Sequence, residues 1–411
     1  MMKLIDTFNV KHGDFGVYHD IEQDYVCVLD CGTSQPNSCL HTGCLTPKRI
    51  INFVSHRISS STSERDILIS HYHQDHFNGI SAFKKYGSPF FRNMYVPYMD
   101  FKADYTKQFL YSMCLLKATS DVLRIPFTLL QSFSSLFLEE YAKKYIRCHR
   151  GHSLREIKDS NGAVAEVLWP PSHIYNEESK ELKRFIDKLE GALRKHELRS
   201  AIEKTEKYLS ELQEHISSRE FSSLDSDNQE QEKQEDEDKG VHINEIFTME
   251  EYNEGKGIKG DLKEIKAAFS KLRGAVKTFL NALSIVLRID HKIVWMGDVT
   301  EEVLRILKKD LNGKFMYFKL PHHGTIDITN LNLRASKFVV SLSDGKNFKP
   351  INKENLKKAL NDNTIILCTD GHRYCHNNGF PFYCWDYLPS EIYSFFEDVY
   401  CSRNMVVRID L

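Results

Sequence analysis

One short segment limits what this chain can fold into more than any other. Residues 67–77 read ILIS-HYHQDHF, an apolar run that delivers His71, His73, Asp75 and His76 within six consecutive positions. Buried imidazoles and carboxylates are costly unless each finds a partner, and groups this close compete for the same ones. A metal ion satisfies them together, and imidazole nitrogen with carboxylate oxygen suits zinc. Alternate positions in an extended loop aim their side chains at a shared point. The segment therefore calls for a buried strand that ends in a turn and is followed by a helix.

The surrounding sequence supplies such strands. VCVLD at 26–30, DILIS at 66–70 and VAEVLWP at 164–170 read as strands, with helical stretches expected over 78–85 and 101–145. From Glu177 to about Ser217 the chain is dense in Lys and Glu, with Leu182, Phe185, Ile186, Leu189 and Leu193 at helical spacing, continued by Leu198, Ile202, Leu209, Leu212 and Ile216. This predicts one long helix or a helical hairpin. Residues 222–240 are polar, acidic and free of aromatics, which predicts a flexible loop. A helix is expected over 262–280. Strand character returns at 284–289, 292–296, 314–320, 337–342 and 364–368, alternating with helices over 300–310 and 352–360. Continuous apolar strands alternating with helices imply an α/β fold whose strands are buried on both faces. On this reading residues 1–175 and 281–411 are two halves of one layered domain, and 176–280 is an insertion between them.

A formal charge of −2 over 411 residues gives no overall attraction to nucleic acid or to an anionic membrane, so an anionic substrate has to be attracted locally. No run approaches the roughly 20 apolar residues of a membrane helix, so no membrane partner and a cytoplasmic location are expected. The ten scattered cysteines, in a chain too long to need staples, suggest reduced thiols. Two cysteine-rich motifs, Cys39–Cys44 and Cys368–His376 with Cys384, are weaker metal candidates that a loop and a buried strand explain more simply. Ser284 and Ser341 are candidate contacts to a phosphate or carbonyl group, although hydroxyls near strand ends are more often structural. Lys314, Lys319, Arg49 and Arg57 are candidate guides for a polyanion, too dispersed to form a patch.

The pattern His71-x-His73-x-Asp75-His76 resembles the signature of the metallo-β-lactamase superfamily, and further landmarks follow in that superfamily's order. Val28-Leu29-Asp30-Cys31-Gly32 resembles the early strand whose aspartate, here Asp30, braces the metal loop from behind. Trp295-Met296-Gly297-Asp298 resembles the later Gly-Asp whose carboxylate bridges two metals. Leu320–Thr325 resembles the segment that supplies the last ligand, here His322 or His323. The similarity is closer to the metallo-β-lactamase domain of the bacterial competence DNA-uptake channel protein and its free-standing relatives. Val10-Lys11-His12-Gly13-Asp14, Leu168–Pro171, Asn281–Ser284, Lys319–Thr325, Ser341–Gly345 and Thr369-Asp370 match segments of those proteins, so the resemblance spans about 1–171 and 281–375. There is one departure, at the histidine that the superfamily places between the first signature and the bridging aspartate. Cys148-His149-Arg150-Gly151-His152 offers His149 and His152 as candidates, and His152 stands where those relatives tend to have Gly-Asp.

The resemblance implies a metallo-β-lactamase αββα sandwich carrying a charged helical insertion. It also implies two divalent metal ions, zinc or else manganese, one held by His71 and His73 and the other by Asp75, His76 and one of His322 and His323, with Asp298 between them. A metal-bridging hydroxide would be the nucleophile, with Asp75 and Asp298 as the catalytic carboxylates. The implied activity is that of a phosphodiesterase or nuclease acting on nucleic acid or another phosphodiester. Because fold does not fix function, two alternatives stand beside it. One is a hydrolase of a small ester, lactone, thioester or amide. The other is a regulated subunit that meets a protein partner, or a second copy of itself, through the helix at 177–217.

Overall fold

The computed structural model describes residues 3–8, 10–37, 46–61, 64–124, 141–172, 177–224, 262–341, 352–362, 364–368 and 406–410. The Cys39–Cys44 and Cys368–His376 motifs, Cys384, the Ser341–Gly345 and Thr369-Asp370 segments and the acidic stretch at 222–240 lie wholly or largely outside these residues. The chain forms two compact units, one of Met1–Met99, Ser135–Ile174 and Leu280–Leu411, the other of Asp100–Ser134 and Tyr175–Phe279.

The first unit is mixed α/β. Its strands are β1 (Lys3–Phe8), β2 (Phe15–Asp20), β3 (Tyr25–Cys31), β4 (Glu64–Leu68), β5 (Phe91–Pro97), β6 (Ala142–Cys148), β7 (Ser153–Lys158), β8 (Val164–Trp169), β9 (Val286–Ile289), β10 (Ile293–Met296), β11 (Gly313–Lys319), β12 (Leu333–Val340), β13 (Ile365–Cys368) and β14 (Val406–Asp410). Among the described residues they make two sheets, ordered β14-β1-β2-β3-β4-β5-β6 and β13-β12-β11-β10-β9-β8-β7. Both sheets are antiparallel on one side and parallel on the other, the parallel parts being β3 to β6 and β10 to β13.

Side chains that alternate along a strand face opposite sides of a sheet, and this alternation builds two separate cores. Ile293 and Trp295 of β10 join Cys27 and Leu29 of β3, Tyr18 of β2 and Leu287 and Ile289 of β9 in one buried cluster shared by both sheets. Val294 and Met296, one position along, instead join Val303 and Leu304 of the helix Glu301–Ile306 and Ala359 of the helix Lys353–Asn361. Both faces of β10 are therefore buried, as its unbroken apolar run requires. The helix Pro47–Ser61 packs on the helical turn Asn78–Tyr86 through Ile50, Ile51, Val54, Ile58, Ile80 and Phe83, all nearly inaccessible.

Of the helix expected over 101–145, the described residues show Asp104–Leu123, and residues 142–148 form β6 instead. That segment pairs in parallel with β5, from Phe91 opposite Ala142 to Pro97 opposite Cys148. Lys143 and Lys144 stay exposed on this outermost strand, where charge discourages pairing with another chain. A pairing partner some fifty positions upstream decides the conformation, and local periodicity does not record it.

The second unit is helical. The charged stretch forms a hairpin of the helices Glu177–Lys195 and Arg199–Leu224. Both pack against Asp104–Leu123, a helix buried nearly all round through Phe109, Leu110, Met113, Leu115 and Leu116. The apolar stripe Leu182, Ile186, Leu189 and Leu193 is buried, each side chain contributing about 1.5–3 kcal/mol on leaving water. Among the described residues no helix is long and apolar enough to cross a membrane.

Candidate metal centre

β4 lies between β3 and β5 and parallel to both, so the turn that follows it leaves the C-terminal edge of the sheet, where ligand-bearing loops gather in open α/β sheets. The main chain is held as far as the residue before His71. Ile69 N–H donates to the Tyr95 carbonyl at 2.8 Å, and Ile285 N–H donates to the Ser70 carbonyl at 2.7 Å. Ser70 N–H donates to Asp30 Oδ1 at 2.6 Å. Asp30 reaches it from a left-handed backbone conformation, φ 58°, which Asp adopts more readily than most residues. A side chain on Gly32 would meet the main chain of Asp75 at 2.3 Å, so glycine there lets the two loops touch backbone to backbone. From the other sheet, β10 leads into Asp298, and β11, parallel to it, leads into His322 and His323.

These loops bring three buried imidazoles around one buried carboxylate. His76 Nε2 lies 3.5 Å from Asp298 Oδ1, and His71 Nε2 and His323 Nε2 lie 3.9 and 3.5 Å from Asp298 Oδ2. The side chains of His71 and His76 are wholly inaccessible, and those of His323 and Asp298 nearly so. Each ring is anchored through its other nitrogen. His71 Nδ1 is 3.3 Å from Ser70 Oγ, His76 Nδ1 is 3.2 Å from Asp30 Oδ2, and His323 Nδ1 is 3.1 Å from the Ser341 carbonyl. A carbonyl only accepts, so His323 carries a proton on Nδ1 and turns Nε2 inward, the orientation of a metal-bound histidine. None of the three Nε2 atoms has a hydrogen-bond partner.

The spacing fits an ion. Donor atoms about 2.1 Å from a shared metal at tetrahedral angles lie about 3.4 Å apart, close to the observed separations and longer than a good hydrogen bond. Three such groups meet here: His71, His73 and Asp298; His76, Asp298 and His323; and His12, Asp75 and His323, with the ligand atoms of each group within 4.8 Å of one another. These buried His and Asp groups can hold a metal ion. A fourth set, Asp14, Asp30 and His76, is also close. It already has a cation, because Lys319 Nζ lies 2.6 Å from Asp14 Oδ2 and donates to the Met296 carbonyl at 2.8 Å. That set braces His76 from behind.

Charge and burial oppose each other throughout. Burial alone would push the His76 imidazole down, but the Asp298, Asp30 and Asp14 carboxylates outweigh it and hold the group well above its ordinary value. His323 is raised against burial in the same way by Asp298 and Asp75. Burial would raise Asp298 and Asp75, yet the surrounding imidazoles hold both well below the usual carboxylate range. His71, whose nearest neighbours are His76 and His73, follows burial and is pushed well down.

Of the expected site residues, His71, His73, Asp75, His76, Asp298 and His323 come together, and Asp30 sits behind His76. His322 lies at the margin, its side chain 36% exposed and its Nε2 3.9 Å from Asp298 Oδ2, outside the close groups. His149 and His152 pair with each other, ring centroids 4.0 Å apart, and neither joins a ligand group among the described residues. Lys319 cannot guide a polyanion, because it is buried against Asp14. Ser284 is buried, and Ser341 serves through its carbonyl. Sequence patterning did not single out His12, Asp14 or the buried role of Lys319. The first two stand in the Val10–Asp14 segment, and their ligand-type side chains were the signal. No protein-family model matches the chain, and no curated protein matches it.

Proposed function

We propose that this chain is a metal-dependent hydrolase of the metallo-β-lactamase type, acting on phosphodiesters as a phosphodiesterase or nuclease. The observation that carries the proposal is the convergence of three partnerless Nε2 atoms, from His71, His76 and His323, on Asp298. Buried polar atoms without partners are costly, and they persist where a ligand supplies the missing interaction. Two sheets sharing one core, with helices packed outside, agree with the αββα sandwich of that superfamily.

In this reading two divalent ions, zinc or manganese, are the cofactors. His71 and His73 would hold one, Asp75, His76 and His323 the other, and Asp298, whose Oδ2 faces both His71 and His323, would serve both. When bound, such ions supply Lewis acidity and a water activated near neutral pH. The chain's own residues do the rest. Asp75, 16% exposed and therefore the outermost carboxylate of the centre, can orient the attacking water. Ser70, Asp30 and the Ser341 carbonyl fix the ring orientations in advance, so little reorganisation is needed on substrate binding. A chain of net charge −2 relies on its metal centre to attract an anionic substrate.

The test is cleavage of end-labelled single- and double-stranded DNA and RNA with added zinc or manganese, comparing the wild type with a His71→Ala, Asp75→Ala double variant. Cleavage lost in the folded variant is the expected result. No cleavage by wild type loaded with metal would move the reading to small esters, lactones, thioesters or amides.

A further inference from the structure

Beyond the six residues already assigned to the centre stands His12, on the loop between β1 and β2. It belongs to none of the histidine-rich runs, yet its Nε2 lies 3.6 Å from Asp75 Oδ2, the same distance at which His323 Nε2 faces that oxygen. The His12 and His323 rings lie against each other, centroids 4.2 Å apart. With Asp75 and His323 it forms a group whose ligand atoms all lie within 4.8 Å. The loop is not free to carry the ring elsewhere. Asp14 N–H donates to the Asp75 carbonyl at 3.0 Å, Gly32 N–H donates to the Asp14 carbonyl at 3.0 Å, and Ser34 N–H donates to the His12 carbonyl at 2.7 Å. A side chain on Gly13 would meet the Gly32 carbonyl oxygen at 2.3 Å, so the backbone beside His12 is seated against the loops that carry Asp30 and Asp75. Main-chain contacts on both sides of a ring, with its Nε2 at metal-sharing distance from a carboxylate, are how a protein presents a ligand and differ from how it accommodates a surface histidine.

We propose that His12 is a metal ligand, contributed by the β1–β2 loop to the ion held by Asp75 and His323. The inference rests on the metal-centre reading above. It makes the two halves of the centre unequal. Asp75, His76, His323 and His12 would serve one ion, whereas His71 and His73 would serve the other with only Asp298 beside them, since neither His149 nor His152 joins that group among the described residues. The side with more donors should fill first and hold more tightly.

Binding is read on the full chain after chelator treatment, by calorimetry with Zn²⁺ and by visible absorption with Co²⁺. Wild type is expected to take up metal in two steps of different affinity. His12→Ala should weaken the tighter step by about tenfold or more and leave the weaker one in place, with an unchanged unfolding temperature in chelator showing that the variant folds. His12→Cys supplies a direct signature, since a coordinated thiolate adds a sulfur-to-cobalt charge-transfer band with the first equivalent of Co²⁺. An unaltered tight step in His12→Ala, or Co²⁺ uptake by His12→Cys without that band, overturns the ligand role while leaving the metal centre intact. A wild type that binds neither ion overturns both readings together.

Discussion

Strand β4 carries Asp66 in its middle and opens onto His71 just past its end, and the two places treat buried polar groups in opposite ways. Asp66 is inaccessible, yet its oxygens accept from Tyr25 Oη at 3.0 Å, Arg92 Nη2 at 2.9 Å, Asn93 N–H at 3.0 Å and Asn93 Nδ2 at 3.1 Å. Its needs are met by protein alone. A few residues on, His71, His76 and His323 are equally buried and their inward nitrogens have no hydrogen-bond partner. Burial with satisfied partners marks a structural device, and burial with converging, unsatisfied ones marks a place built for something else. Burial by itself distinguishes neither.

The contrast can be broken by substitution. Asp298→Ala removes the carboxylate on which the imidazoles converge. It should cost metal affinity more than the 10–100-fold typical of losing an outer partner and abolish metal-dependent hydrolysis, with metal content and rate as the measurements. Retained binding would sink the site reading. Asp66→Ala should do the reverse, lowering stability by about 2–4 kcal/mol in urea unfolding while leaving metal stoichiometry unchanged. The loss should fall short of that for a wholly buried pair, because Arg92 is 36% exposed and already donates to Glu64 at 2.6 Å. Asp14→Asn lies between the two. It weakens the brace behind His76 and leaves Lys319 with a neutral partner, so metal affinity should fall by roughly 10–100-fold without loss of either ion's site.

The finest test is of proton traffic. His76 and His323 are held above the ordinary imidazole value by their carboxylate neighbours, so without metal both keep their protons to higher pH than a free imidazole, whereas His71, pushed down by burial, loses its proton at lower pH. Metal must displace those protons. Affinity should therefore rise with pH from about 6.5 upward until both rings are neutral, and binding enthalpy at pH 7 should differ between buffers of unlike ionisation enthalpy. Equal enthalpies in the two buffers would mean the rings are already neutral and would contradict the assigned charges.

The convergence of His71, His73, Asp75 and His76 was legible because ligand-type residues stand in tandem after an apolar strand, a pattern that few other needs produce. Asp298 and His323 were legible through their Gly-Asp and His-His-Gly contexts. Asp66 was invisible, since a lone aspartate at a strand's start reads as surface until Arg92 and Asn93 come beside it through strand pairing. β1 and β2 stood out less than the clearest strands for a related reason. Lys3, Asp6, His19 and Asp20 break up their apolar pattern, and only the fold brings Lys3 within 3.2 Å of Asp20 and His19 within 3.2 Å of Asp6. His12 and His322 show the limit from the other side. The structure places His12, from a turn noted only for its likeness to other proteins, 3.6 Å from Asp75, whereas His149 and His152 join no ligand group among the described residues, and His322 stands at the margin beside His323.

The pairing of β1 with β14, from Leu4 opposite Asp410 to Phe8 opposite Val406, also has a consequence during synthesis. At about 5–20 residues per second, roughly 20–80 s separate the emergence of those two strands from the ribosome. Throughout that interval β1 offers an open edge to any other growing chain. Charged residues facing inward from an edge strand are a recognised guard against such pairing. Lys3 and Asp6, both buried in the finished structure, put charges of that kind on β1.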